Sequence, residues 1–198
     1  MNSRIALFAV LIGFAHQVTA QTAPAQSLAA APLEVTLAYS ADRTNGVVGG
    51  CGCFWMGGGM AEASTYLGRG LSVVAELAGE HANNINSAGG SLSLVSYVFG
   101  PRYTLVTRNR FAPFAQLLAG GVHGFDGMFP GEGVYISNPN ALAFAAGGGF
   151  NVRVSHRFAL RAVQADYFQT RLPNGANNRQ NQLRISGGVV FRFGENRR

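Results

Sequence analysis

Apolar and polar positions alternate along most of this chain with a period of two. The segment Leu183 to Phe193 shows the pattern most fully. Leu183, Ile185, Gly187, Val189, Phe191 and Phe193 share one parity, and Arg184, Ser186, Gly188, Val190 and Arg192 share the other. Successive side chains in a strand point to opposite faces. One face is therefore apolar and aromatic, and the other carries two arginines and a serine. Its 11 residues match the roughly 9–11 that a tilted strand needs to cross a bilayer. The same alternation, with β-branched and aromatic enrichment between turn-rich breaks, predicts eight strands. They run over Leu33–Ala41, Gly58–Leu67, Leu71–His81, Ser91–Thr107, Phe111–Val122, Ala141–Val154, Arg157–Arg171 and Gln182–Phe193. No segment shows a capped apolar repeat of 3.6 residues.

The connections carry as much information as the strands. Gly68-Arg69-Gly70, Arg108-Asn109-Arg110 and Ser155-His156 are tight turns. Asp42–Gly57, Ala82–Gly90, His123–Asn140 and Leu172–Asn181 are long and rich in Gly, Asn and Pro. Strict alternation of long and short connections, with an even strand number, is the mark of an up-and-down membrane barrel. In such a barrel the polar parity faces the lumen and the apolar parity faces lipid.

Followed from strand to strand, the polar parity offers Glu34, Glu62, Glu76, Asp166, Arg102, Arg153, Arg161, Arg184 and Arg192 to the interior. Two segments resist simple alternation. Arg161 and Asp166 lie on opposite parity, so a β-bulge near Val163–Ala165 is expected to turn both inward. Leu92 and Leu94 share parity with Arg102, for which alternation alone gives no account.

Composition refines this picture. Residues 1–20 read as a secretory signal: Arg4, then the apolar Ile5 to Phe14, then Val18-Thr19-Ala20 as a cleavage site. Residues 21–32 read as a linker, 33–193 as the barrel and 194–198 as a tail. No later segment has 18 consecutive apolar residues. All 15 basic residues are arginine, and the net charge is +6. These arginines are spread through strand-like segments of an exported chain, so nucleic acid is not an expected partner. Arginine suits buried pairing, because its planar fork meets carboxylates at two points.

Phe99-Gly100-Pro101-Arg102-Tyr103, Arg110 to Gln116, Arg157 to Arg161 with Asp166-Tyr167, and Arg184 to Phe193 occur in that order behind a signal peptide. In these segments the chain resembles the eight-stranded outer-membrane β-barrel family, the small barrels like outer-membrane protein A and its porin-like relatives. The resemblance covers about Leu33 to Phe193. It implies an all-β transmembrane barrel in the bacterial outer membrane. One departure stands out: the family's assembly signal is a terminal aromatic residue, whereas Phe193 is followed by Gly194 to Arg198.

An eight-stranded barrel has an interior just wide enough for side chains to fill. Charges placed there must pair, so the acids and arginines are expected to form a plug rather than line a pore. Scattered contacts to internal water are the simpler alternative. Cys51 and Cys53 are the only cysteines. A strained local disulfide, free or intermolecular thiols, and a metal or redox role all stay open. Phe54, Trp55 and Met56 beside them form either a binding tip or part of an aromatic girdle. Ser155-His156 brings a possible lipid A deacylase to mind, but adjacent strand residues point apart, so a turn is expected. The expected role is structural or surface-interacting, through four extracellular loops of a monomer in contact with outer-membrane lipid. No cofactor, metal or catalytic residue is expected. A narrow porin-like channel, a lipid A-modifying enzyme and a soluble barrel around an apolar ligand are the alternatives.

Overall fold

The computed structural model describes residues 33–44, 53–85, 90–105, 110–130, 134–175 and 177–194. The segments expected as signal peptide and linker, and the residues beyond Gly194, lie outside them, as does Cys51. In chain order the strands are β1 (Leu33–Thr44), β2 (Phe54–Gly68), β3 (Leu71–Ala82), β4 (Leu92–Thr104), β5 (Phe111–Phe125), β6 (Phe129–Pro130), β7 (Tyr135–Ile136), β8 (Asn140–Arg153), β9 (Phe158–Thr170) and β10 (Gln180–Phe193). Eight of them close an antiparallel barrel in the order β1-β10-β9-β8-β5-β4-β3-β2. Closure pairs the first strand with the last, from Leu33 opposite Phe193 to Thr44 opposite Gln182. No main-sheet edge is left open, which removes the unpaired backbone an edge strand would present.

Short turns gather at the end of the barrel that holds Leu33 and Phe193, and long connections at the other. The β2–β3 turn is built from Arg69 (φ 51°) and Gly70 (φ 87°). The Thr104 N–H donates to the Gly70 carbonyl at 2.7 Å. A side chain at Gly70 would stand 2.5 Å from the Thr104 oxygen, so only glycine fits there. At the opposite end, the third long connection contains a small hairpin, β6–β7, that the sequence pattern does not predict.

Three local features differ from the sequence-based expectation. First, β1 and β2 extend further than expected, pairing as far as Thr44 with Phe54. Phe54, Trp55 and Met56 are therefore strand residues and not a loop tip. Trp55 points outward with Arg43 5.9 Å above its ring, while Met56 is buried inward. Second, the expected bulge is present but sits slightly earlier. Asn151 faces Arg161 and Phe150 faces Val163, which leaves Ala162 as the extra residue. The β10 side shifts register at the same place. The bulge reverses parity, and both Arg161 and Asp166 are buried. Third, Leu94 is inward and buried, because the lumen is layered rather than uniformly polar. It belongs to an apolar cluster with Met56, Val98, Leu118, Val122 and Phe168.

The outer surface is apolar on every barrel strand. Leu37 is exposed on β1, and Val73, Tyr97, Leu117, Phe144, Leu160 and Ile185 are exposed while their strand neighbours are buried.

Candidate functional site: the barrel lumen

The lumen is filled by two charge clusters stacked along the barrel. Nearer the short turns, the Glu62 carboxylate receives two guanidinium forks. Arg102 donates through Nη1 to Oε1 at 2.6 Å, and its Nη2 donates to Oε2. Arg161 donates through Nη1 to Oε2 at 2.7 Å and through Nη2 to Oε1 at 3.0 Å. Two amides relay this charge to Asp166. Gln116 accepts from Arg102 Nε at 3.0 Å and donates to Asp166 Oδ1 at 3.1 Å. Gln164 accepts from Arg161 Nη1 at 2.7 Å and donates to Asp166 Oδ2 at 2.6 Å. Phe114 lies beneath both cations, 4.3 Å from Arg102 and 4.9 Å from Arg161. A ring face attracts a cation most strongly where water is excluded.

Nearer the long connections, Arg184 stands alone among three acids. It donates through Nε to Asp42 Oδ1 at 3.1 Å, through Nη1 to Glu76 Oε1 at 3.0 Å and through Nη2 to Glu80 Oε2 at 3.2 Å. Ser96 Oγ accepts a further bond at 3.3 Å, and Ser40 donates to Glu80 at 3.0 Å. The Phe168 ring lies 3.9 Å from the guanidinium carbon. Glu76 Oε2 is buried and accepts no hydrogen bond among the described residues.

At the short-turn rim, Arg192 Nε donates to Glu34 Oε1 at 2.8 Å in a half-buried pair. The structure thus brings Glu34, Glu62, Glu76, Asp166, Arg102, Arg161, Arg184 and Arg192 together in the lumen or at its rim. Arg153 is the exception and is corrected here. It ends β8 beyond the bulge and is exposed, its N–H bonded to the Arg110 carbonyl. Sequence reasoning missed Asp42 and Glu80. Asp42 shares the parity of Glu34, and Glu80 that of Glu76. Phe114 and Phe168 share inward parity with Gln116 and Asp166, and were missed because they are apolar.

A second polar cluster lies outside the lumen at the long-connection end. His81 Nδ1 is 2.8 Å from Ser93 Oγ, and Ser93 Oγ donates to Asp126 Oδ2 at 2.9 Å. His81 Nε2 is 3.0 Å from Asn83 Oδ1. The residue types suit nucleophilic chemistry, but the order does not. A nucleophilic relay places the imidazole between hydroxyl and acid, and here the hydroxyl stands between imidazole and acid. The bonds tie β3, β4 and the β5–β6 connection together. Ser155 Oγ accepts from the Arg157 N–H at 3.3 Å and the Phe158 N–H at 3.1 Å, closing the β8–β9 turn with His156 exposed beside it. Cys53 is exposed. Its relation to Cys51 lies outside the described residues. Among the described residues no group of three or more His, Cys, Asp or Glu is placed to hold a metal ion.

The barrel fold recurs in solved structures. Neisserial surface protein A superposes with a TM-score of 0.62 at 14% identity, over 81% of this chain and 97% of that one. Ail, the attachment invasion locus protein of Yersinia pestis, superposes with a TM-score of 0.55 at 15% identity, over 82% of this chain and 99% of that one. The fold is that of the eight-stranded outer-membrane barrels. No family model and no curated protein matches the sequence. The likeness is therefore one of architecture.

Proposed function

We propose that this chain is a bacterial outer-membrane barrel that anchors its long connections at the cell surface and keeps its lumen sealed. The observation that carries the reading is the inversion of its surface. Charges fill the interior, and exposed Leu, Val, Ile, Phe and Tyr encircle the outside. A water-soluble monomer rarely shows a contiguous apolar patch beyond a few hundred Å², and here the band runs around every barrel strand. In lipid the same band is the favourable arrangement. The short turns then face the periplasm and the long connections the exterior.

The surface role is supported by the long connections themselves and by their charge. Arg43, Arg171 and Arg179 are exposed at that end. One structural neighbour, Ail, has been solved with the heparin analogue sucrose octasulfate. An anionic surface ligand is the class of partner that these arginines fit. The chain acts as a monomer, because closure leaves no main-sheet edge for a second copy to extend.

Membrane fractionation tests the anchoring. After a carbonate wash the protein stays with the outer-membrane pellet and needs detergent for extraction. Release into the carbonate supernatant would contradict the membrane reading.

A further inference from the structure

The charge clusters stop short of the outer mouth. Above Arg184 lies a cavity of about 90 Å³, walled by Phe54, Leu92, Leu94, Phe129 and Leu172. On the connection from β5 to β8, Phe129 of β6 stands in the wall and Met128 lies at the opening, 79% exposed. Val134 and Tyr135, on the same connection, are each 70% exposed. The exposed Met128 side chain thus gives the cup an apolar rim. The floor is closed, because Gln182 and Arg184 are successive inward positions on β10 and Arg184 is locked to its three acids.

Gln182 lines the cavity and is 3% exposed. Its Oε1 is buried and accepts no hydrogen bond among the described residues. A buried acceptor left unmade is unfavourable, and a ligand donor relieves it. The cavity is smaller than the roughly 150 Å³ that accepts a benzene ring in an engineered core. A space of that size takes the polar end and the first few methylenes of a linear chain, the remainder passing out beside Met128, but not a ring system.

We propose that this cup binds a linear alkyl chain ending in a hydrogen-bond donor, such as a primary alcohol. The donor end meets Gln182 Oε1, and the chain lies against Leu94, Phe129 and Leu172 with its far end toward Met128. The molecule enters and leaves by the same mouth, because the Arg184 cluster blocks the way through. This site goes beyond the anchoring and sealing described above. A conducting lumen would overturn the seal without removing binding at the cup.

Photo-crosslinking in phospholipid nanodiscs tests it, with decanol and decane each carrying a chain diazirine. Decanol adducts are expected on Leu94, Phe129 or Leu172, and excess unlabelled decanol competes them away. The decane probe labels these positions about ten-fold less, the ratio that one well-made buried hydrogen bond gives. In Gln182→Leu the two probes label alike. Leu94→Trp fills the cavity and abolishes both labels. Heat-dependent gel migration establishes that each variant is folded, and if Leu94→Trp is not, the Gln182→Leu comparison decides alone. Adducts confined to outward positions such as Leu142 and Leu183, without competition, would overturn the proposal. So would an alcohol preference that survives Gln182→Leu.

Discussion

Two guanidiniums converge on one carboxylate at Glu62, and among the described residues neither Arg102 nor Arg161 has another carboxylate in direct contact. Removing Glu62 leaves two buried cations held only by amides. Breaking a buried ion pair in this way costs about 3–5 kcal/mol. Glu62→Ala is therefore expected to lower the unfolding free energy of the vesicle-inserted protein, read from a urea titration, by that much. Glu34→Ala removes only a half-buried rim pair and should cost about 1 kcal/mol or less. Arg153→Gln changes an exposed side chain and should stay within about 0.5 kcal/mol. Equal losses in Glu62→Ala and Glu34→Ala would refute the assignment of the network to the inner lumen. Strand parity alone places most of these residues, because each acid or arginine sits opposite an apolar neighbour. It misses Asp42, one residue past the expected end of the first strand, and Glu80, which lies on the inward parity within the expected third strand. It over-reaches at Arg153, where the parity continues but the lumen does not.

At the scale of single elements, the bulge in β9 holds the two halves of the inner cluster together. Ala162 is the residue that reverses the parity between Arg161 and Asp166. A one-residue slip moves every following side chain to the other face. Deleting Ala162 should therefore turn either Arg161 or the Gln164–Asp166 pair toward lipid. The expected outcome is failure to reach the folded, heat-modifiable form in vesicles. Folding at wild-type yield would show that β9 tolerates either register. The facing strand makes room for this arrangement: a Cβ at Gly147 would lie 2.3 Å from Asp166 Oδ1 and 2.2 Å from the Ala165 oxygen. Gly147→Ala should thus be destabilising where an alanine elsewhere in a strand would not. The bulge is legible in the sequence as a parity conflict, though its position is fixed only by the register of both neighbouring strands. The inward Leu94 is not legible in that way. Its parity is correct, but whether an inward position is charged or apolar depends on its height in the barrel. Height is a property of the assembled register and not of any one strand.

For the whole molecule, closure turns eight half-apolar strands into an object with its charge inside and its apolar residues outside. The alternation of long and short connections makes that architecture readable from the sequence, and the solved barrels share it at 14–15% identity. The β6–β7 hairpin and the cup that Phe129 helps to wall are not readable, because they depend on a mouth that exists only once the barrel closes. The proposal that this barrel spans a membrane with its interior sealed by paired charge is open to a direct measurement. Planar-bilayer recording tests it, with the purified, folded protein delivered in proteoliposomes whose fusion is scored independently by a co-reconstituted marker channel. The expected result is fusion with no stable open level beyond the marker's own. A steady, large open-channel conductance in addition to the marker's would contradict it.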